Sequence, residues 1–318
     1  MAHPNIKFTL LSEVDFVSLR EKLILKAING SNMPSTFGEK VYTGNTPTNE
    51  ECFLFEYHEN EKQAASFLIC SGGTKVVYHT TSRSSQQTLQ SLIRGNITKF
   101  CLQEQGRFCL HASAMCVNNK VVLFIGRKGA GKSTLAAYFH LKGHEIWCDD
   151  YVLMESNNEK FYAFQGETSV KINPDIVSTL NIPETRLQNV FELPEDWQKS
   201  PESDFLTQKY YFNQQEHKSQ ISPRQIEAVF FLNQRVQDPK ELITNIKIAD
   251  AYAILLQEIL LPGLNSKKYL KHYFQSSMHL LKAVPSFSVN SPDSILRINE
   301  VYNSIIQTLD SSMHEAHG

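Results

Sequence analysis

Short apolar runs separated by turn residues dominate the first hundred residues. Three of these runs have the length and the aromatic and β-branched content of strands: Phe53–Tyr57, Ala65–Cys70 and Lys75–His79. Residues such as glycine, serine and asparagine fall between the runs, as is typical of tight turns. A short helix is also predicted over Leu19–Ala27. We therefore predict that residues 1–100 form a mostly-β accessory or substrate-recognition region.

The pattern then changes to helical spacing between Ser84 and Glu104, which we interpret as the opening helix of a second domain over residues 101–318. A strand-like run follows at Arg107–Val117, and a tight turn leads into the continuous apolar run Val121–Ile125. Such a run is typical of a strand that is buried on both faces.

Strands and helices alternate through the rest of the chain, which predicts an α/β fold. Strands are predicted at Tyr151–Glu155, Phe161–Phe164, Lys209–Phe212, Ile226–Leu232 and Ser286–Val289. Helices are predicted at Asp175–Leu180, Asp250–Leu261, Lys267–Leu281 and Pro292–Leu309, with Pro262 and Gly263 between two of them. The polar stretch Ile182–Ser222 is expected to be rich in loops, and the tail Asp310–Gly318 is expected to fray.

Composition narrows the classes of function. The chain has 318 residues and a net charge of −2, so it lacks the basic field of a nucleic-acid-binding protein. No apolar segment is long enough to span a bilayer, and the first residues do not resemble a signal peptide. The six cysteines are scattered without paired spacing, as is typical of reduced thiols in the cytoplasm.

A glycine-rich motif follows the run Val121–Ile125 and carries the clearest chemistry. Residues Gly126–Ser133 match G-x-x-x-x-G-K-[ST], between a buried strand and a helix. In such a motif Lys132 contacts the β- and γ-phosphates and the Ser133 hydroxyl binds magnesium. The phosphates of a nucleotide and Mg²⁺ are therefore the expected ligands. The predicted phosphate-binding residues are Gly126, Arg127, Lys128, Gly129, Ala130, Gly131, Lys132, Ser133 and Thr134.

Two acids and a histidine are the candidate catalytic residues. Asp149 and Asp150 end the strand-like run after the motif's helix, and ligands of α/β sheets collect at such strand ends. The alternative is a pair of surface acids that opens a loop. His111 lies in the run before the motif, and a hairpin between neighbouring strands would bring it to the site. Its alternative is an ordinary half-buried histidine.

The combined motifs resemble the HPr kinase/phosphorylase family. They comprise Leu110–Ser113, Gly126–Thr134, and Lys142–Ile146 followed by Asp149 and Asp150. A weaker likeness extends to Lys171–Pro174, Lys209 and Ile226–Leu232. The resemblance implies a P-loop kinase domain of the type shared with phosphoenolpyruvate carboxykinases. It also implies an ATP- and Mg²⁺-dependent transfer of the γ-phosphate to a serine hydroxyl of a peptide or small protein. Some divergent relatives modify the precursor peptides of lasso-peptide systems.

The resemblance also implies roles for individual residues. Lys132 and Ser133 would bind the ATP phosphates and magnesium. One of Asp149 and Asp150 would accept the proton of the attacking hydroxyl while the other, for which Asp149 is the candidate, holds the metal. His111 would orient or assist the accepting carboxylate. Relatives commonly form hexamers or smaller assemblies, so self-association is an expectation.

Two departures from the family pattern narrow this hypothesis. Thr134 stands where the bifunctional enzymes usually have glutamate, and their Glu-x-Arg-Gly-x-Gly element is absent. Phosphorolysis, and HPr itself as the substrate, are therefore not implied. Arg127, Lys128 or Lys209 could replace the missing arginine. A nucleotide-binding regulator or assembly factor without phosphoryl transfer is the alternative function.

Overall fold

The computed structural model describes residues 5–28, 38–59, 62–81, 86–190, 209–212, 222–259 and 267–315. The described residues divide into two compact units. One contains the residues up to Arg107, together with Val190 and residues 267–270, and the other contains the remainder from Phe108 onwards. The accessory role assigned to residues 1–100 stays a prediction.

The first unit is built on a six-stranded sheet. Its strands are β1 (Lys7–Leu10), β2 (Ile24–Ala27), β3 (Gly38–Asn45), β4 (Glu51–Glu59), β5 (Lys62–Cys70) and β6 (Lys75–Thr80). They lie in the order β1-β6-β5-β4-β3-β2, and all neighbours are antiparallel except β1 and β6. The three strands predicted from the apolar runs are confirmed as parts of β4, β5 and β6.

The first helix, α1, spans Glu13–Glu21 rather than the predicted Leu19–Ala27. Its start is set by Ser12, whose hydroxyl accepts a hydrogen bond from the Asp15 amide at 3.2 Å. Residues Ile24–Ala27 form β2 instead of a helix, because they pair with β3. Sheet pairing therefore overrides the local helical pattern.

The helical pattern predicted between Ser84 and Glu104 is confirmed from Gln86 onwards, but the helix is interrupted and its residues lie in the first unit. It consists of α2 (Gln86–Leu92), a π-helical turn over Ile93–Ile97 and α3 (Thr98–Glu104), with the break at Gly95. The ring of Phe100 packs against those of Phe53 and Phe55, with centroids 4.9 and 5.0 Å apart. This segment therefore completes the core of the first unit.

In the part of the chain that the structure describes, the second unit contains twelve further strands. They are β7 (Phe108–Leu110), β8 (Ala112–Val117), β9 (Lys120–Ile125), β10 (Glu145–Cys148), β11 (Val152–Asn157), β12 (Lys160–Ala163), β13 (Val170–Ile172), β14 (Leu187–Asn189), β15 (Tyr210–Phe212), β16 (Arg224–Leu232), β17 (Ile243–Asn245) and β18 (Ser286–Val289). The central part has the order β10-β8-β9-β16-β18-β17. Strands β9, β16 and β18 are mutually parallel, whereas β8 is antiparallel to both β9 and β10.

Other strands extend this sheet or form a small one beside it. β12, β11 and β7 continue from β16, and β13, β15 and β14 form a separate three-stranded sheet. The single run predicted over Arg107–Val117 is therefore two strands, divided at His111: β7 pairs with β11, and β8 pairs with β9. Most of the stretch Ile182–Ser222, which we expected to be rich in loops, lies outside the described residues.

The described residues of the second unit include the helices α4 (Lys132–Leu141), α5 (Pro174–Thr179), Ile248–Ile259, most of Lys267–Ala283, and Ile298–Glu315. Phe139 of α4 packs against Tyr302, with ring centroids 4.8 Å apart, and both adjoin the main hydrophobic core. The last helix continues to Glu315, so fraying from Asp310 is not observed. The predicted break at Pro262 and Gly263 lies outside the described residues. None of the helices in the described ranges is long and apolar enough to cross a membrane.

The position of α3 generates a stability prediction. Phe100→Ala should lower the free energy of unfolding by about 3–5 kcal/mol, because it removes a ring that is 1% exposed. Val14→Ala on α1 of the same unit is the matched control: Val14 is 79% exposed, and its loss should change stability by less than about 0.5 kcal/mol. Urea unfolding followed by circular dichroism measures both. Equal effects of the two changes would contradict the packing described.

Candidate active site

Three neighbouring strands bring the predicted chemistry to one edge of the central sheet. In the register, Ala112 lies opposite Ile125, and Ala114 lies opposite Cys148. Because β8 is antiparallel to β9 and β10, its first residue lies beside the last residues of both neighbours. His111 is therefore placed at the same edge as the loop after Ile125 and the acids after Cys148. The predicted hairpin between β8 and β9 is confirmed.

The glycine-rich loop encloses the amino group of Lys132. Gly129 and Gly131 have φ values of +89° and +99°, which side chains rarely allow, and α4 begins immediately afterwards. Lys132 is 8% exposed, and its Nζ donates to the carbonyl oxygen of Gly126 at 2.5 Å. Burial lowers the pKa of this lysine. A buried ammonium group at a helix N-terminus favours an anionic ligand.

The other loop positions differ in their exposure. Arg127, Lys128 and Gly129 are exposed, Ala130 is buried, and Thr134 is half-buried. The positions of Arg127, Lys128 and Gly129 do not by themselves identify a contact with phosphate.

Asp149 lies under the loop and connects three elements. Its side chain is buried, and its carboxylate accepts hydrogen bonds from the hydroxyl of Ser113 on β8 and the amide of Lys171 on β13. The hydroxyl of Ser133 on α4 donates to it at 3.2 Å. Burial raises the pKa of Asp149 to about 6, and the negative charge of Asp150 adds to this rise. Asp149 is therefore the acid placed beside the predicted magnesium-binding hydroxyl.

Asp150 occupies the centre of a tight turn that separates the two acids. The amide of Tyr151 donates to the carbonyl oxygen of Asp149 at 2.9 Å, and Asp150 has a φ of +70°. A three-residue turn with positive φ is rare and strained. As a result, the adjacent carboxylates have different side-chain partners: Asp149 contacts the hydroxyls of Ser113 and Ser133, whereas Asp150 contacts the ammonium group of Lys171. Lys171 contacts Asp149 only through its main-chain amide.

A cluster of cations surrounds Asp150. Lys171 Nζ lies 2.5 Å from its carboxylate, and the two side chains are 22% and 37% exposed. Burial would raise the pKa of Asp150, but the charges of Lys171, His111 and Lys209 hold it well below its ordinary value. Asp150 therefore remains ionised through the physiological pH range.

The structure places His111 against the backbone of Asp150. Its ring Nδ1 lies 2.7 Å from the main-chain carbonyl oxygen of Asp150. Because a carbonyl oxygen only accepts, Nδ1 carries the hydrogen in this contact. His111 is thus half-buried and hydrogen-bonded, and its position supports the strained turn.

Sequence patterns did not assign roles to three further residues of the site. Ser113 and Lys171 lie inside the resembling motifs, but no local signal showed that they contact Asp149 and Asp150. Glu258, on the helix Ile248–Ile259, is buried, and its main-chain oxygen accepts from the His111 amide at 3.1 Å. The negative charge of Glu258 also favours the charged form of Lys132. Because Glu258 and His111 are far apart in the chain, no local sequence pattern indicates that they are in contact.

The donor set fits magnesium rather than a metal that needs a complete protein cage. The described ranges contain no group of three His, Cys, Asp or Glu side chains arranged to hold a metal ion. Magnesium is typically held by one or two protein oxygens together with substrate phosphates and water. Asp149 and Ser133 present such hard oxygen atoms side by side, next to the phosphate-type loop.

Comparisons with known proteins found similarity in structure but not in sequence. No protein-family model matches the chain, and no curated protein matches its sequence. Among solved structures, the chain is similar to the Hpr(Ser) kinase/phosphatase from Coxiella burnetii. The sequence identity is 11%, the TM-score is 0.32, and the match covers 66% of this chain and 96% of that one.

The opposite pKa shifts of the two acids generate a stability prediction. Because the native pKa of Asp149 is raised to about 6, the folded protein binds its proton more tightly than the unfolded chain does. The stability of wild type relative to Asp149→Asn should therefore fall as the pH rises from about 4 to 7. At about 1.4 kcal/mol per pKa unit, the fall should be about 2–3 kcal/mol.

Asp150→Asn is the matched control with the opposite sign. Since the native pKa of Asp150 is lowered, wild type should gain stability relative to this variant as the pH rises through the range in which the unfolded carboxyl ionises. Urea unfolding at several pH values, followed by tryptophan fluorescence, measures both differences. The same pH trend in both variants would contradict the assigned environments.

Proposed function

We propose that the protein is an ATP- and Mg²⁺-dependent kinase that transfers the γ-phosphate to a serine hydroxyl of a peptide or small protein. The observation that carries the proposal is that the two adjacent acids have different surroundings. Asp149 lies against Ser133 beneath the glycine-rich loop, while Asp150 is turned towards a separate group of cations. A nucleotide-binding loop alone would need only the first of these arrangements.

Lys132, Ser133 and Asp149 would hold the nucleotide and its metal. The loop amides and the Lys132 ammonium group bind the phosphates, and the oxygens of Ser133 and Asp149 bind magnesium. The metal supplies charge neutralisation at the phosphates. Without a cation nearby, burial raises the pKa of Asp149 to about 6. An adjacent cation favours the ionised form of this carboxylate.

Asp150 would orient the acceptor and take its proton. As the serine oxygen forms a bond to the γ-phosphorus and the bond to ADP breaks, the hydroxyl proton passes to the Asp150 carboxylate. Phosphoryl transfer depends more on position and charge than on a strong base, so the low pKa of Asp150 is compatible with this role. Lys171 keeps the carboxylate ionised, and His111 holds the turn that positions it.

The acceptor and setting follow from the sequence resemblance. A ribosomally made precursor peptide of the lasso type is the acceptor we propose. We place the enzyme in the cytoplasm, where ATP is supplied; all six cysteines are free and buried, as reducing conditions require. Self-association is part of the same proposal.

Asp150→Asn should separate catalysis from binding. With γ-labelled ATP, magnesium and serine-containing peptides, transfer should fall by about 10²–10⁴-fold, because the proton acceptor is lost. The affinity for Mg²⁺–ATP, measured by calorimetry, should stay within about threefold. Asp149→Asn is the paired variant, in which dependence on magnesium should be lost as well.

Two outcomes would reject the kinase proposal. One is transfer by Asp150→Asn at the wild-type rate. The other is tight binding of ATP by the wild-type protein with no transfer to any peptide and no release of phosphate, which would favour a nucleotide-binding regulator.

Lys171→Met should add an acidic limb to the pH–rate profile. Without the Lys171 charge, burial raises the pKa of Asp150, so activity should decline at a higher pH than it does in wild type. Rates of peptide phosphorylation between about pH 5 and 8 measure the shift. Lys120→Met is the control, because Lys120 pairs with Glu227 away from the site and its loss should leave the profile unchanged. A profile identical to wild type in Lys171→Met would contradict the role of the ion pair.

A further inference from the structure

The small sheet of β13, β15 and β14 has two chemically different faces. Its register places Tyr211 of β15 opposite both Lys171 of β13 and Gln188 of β14. Opposed residues of antiparallel strands point to the same face, and their neighbours along each strand point to the other. That other face includes Ile172 and Phe212, which belong to the main hydrophobic core. The row Lys171–Tyr211–Gln188 therefore forms the polar face of this sheet.

The polar face is turned towards Asp150. Lys171 Nζ lies 2.5 Å from the Asp150 carboxylate and 5.7 Å from the centre of the Tyr211 ring. Lys209 stands two residues before Tyr211, so the alternation of side chains along the strand places it on the same face. Lys209 therefore reaches the site from the strand next to the one that carries Lys171.

Lys209 brings a positive charge that the described residues leave unpaired. Within the ranges that the structure describes, its ammonium group forms neither a hydrogen bond nor an ion pair. Partial burial lowers the pKa of Lys209, and the positive charges of Lys171 and Lys128 lower it further, whereas the charge of Asp150 opposes the fall. Since Asp150 is already paired with Lys171, a bound anion would stabilise the remaining cation.

The surroundings of Lys209 indicate which anion this is. Its charge interacts both with Lys128, in the glycine-rich loop, and with Asp150, where we place the acceptor hydroxyl. The γ-phosphoryl group is the part of the substrates that passes from the loop to the acceptor. During transfer it carries negative charge on its three outer oxygens. A cation between the loop and the acceptor carboxylate is therefore placed to neutralise that charge.

We propose that Lys209 is a catalytic residue whose ammonium group donates a hydrogen bond to the γ-phosphoryl group during its transfer. This inference rests on the proposed kinase function. In the step, the serine oxygen bonds to the γ-phosphorus, the bond to ADP breaks, and the hydroxyl proton passes to Asp150. Lys209 keeps its own proton and stabilises the charge in transit. Of the three cations that the sequence leaves open for the missing arginine, Lys209 alone lies outside the loop.

Lys209→Met tests this role through the reaction rate. With magnesium and γ-labelled ATP, phosphate transfer to serine-containing peptides and phosphate release to water should both fall about 10²–10³-fold, because a positioned donor to the transferring group is lost. The affinity for Mg²⁺–ATP, measured by calorimetry, should stay within about threefold. Lys209→Arg should recover at least about a tenth of the wild-type rate, since an arginine keeps the charge and the donors.

Lys160→Met is the matched control for the rate and the affinity. Lys160 is an exposed lysine that begins β12, after the turn at the far end of β11 from Asp150. Its loss should leave both quantities at their wild-type values.

A transition-state analogue tests the same contact by binding alone. ADP with magnesium and aluminium fluoride mimics the phosphoryl group in transfer, so the wild-type protein should bind ADP more tightly when aluminium fluoride is present. Lys209→Met should lose at least about tenfold of this gain and bind ADP alone as wild type does. A merely structural role of Lys209 would weaken the binding of ADP as well. Lys209→Gln provides a second variant if Lys209→Met does not fold.

The outcomes distinguish this inference from the proposed function. A folded Lys209→Met variant with the wild-type rate and the wild-type gain from aluminium fluoride would overturn the role of Lys209, while transfer by the wild-type protein would leave the kinase proposal standing. A change confined to the KM for the peptide would also overturn it and would assign Lys209 to acceptor binding. A wild-type protein that neither transfers nor releases phosphate would reject both proposals.

Discussion

The buried carboxylate of Asp149 is the constraint on which the candidate site depends. A carboxylate removed from water is costly unless hydrogen bonds replace the lost hydration. Here Ser113, Ser133 and the Lys171 amide provide them from β8, α4 and β13. The same contacts join the helix after the glycine-rich loop, the central sheet and the small sheet to the two carboxylate oxygens of Asp149. The raised pKa of Asp149 indicates that the ionised carboxylate is destabilised in the folded protein, and a bound cation would stabilise it.

The strained turn at Asp150 places the two adjacent carboxylates in different surroundings. On a regular strand, neighbouring side chains would point to opposite faces of the sheet. The positive φ of Asp150 and the His111 contact with its carbonyl oxygen instead end the strand. Asp150 therefore meets Lys171 and remains ionised, while Asp149 remains buried beside Ser133. Backbone strain of this kind persists when surrounding contacts determine it, and it often accompanies function.

Much of the second unit follows from local patterns. The run Val121–Ile125, the glycines of the loop and the start of α4 were predictable because each depends on residues close together in the chain. The site was only partly predictable. Local reasoning located the loop, Asp149, Asp150 and His111, but it gave no role to Lys171 or Glu258, which reach the site from distant elements. Where sheet pairing competed with local propensity, as in Ile24–Ala27, the pattern was misleading.

The sequence by itself determined the mixed α/β class, the phosphate-type loop and the presence of two acids at a strand end. Tertiary structure alone decided that α3 completes the first unit and that the two acids have separate side-chain partners. The physical reason is that short-range periodicity and turn chemistry are written in neighbouring residues. Burial, charge pairing and pKa depend on which distant segments the fold brings into contact.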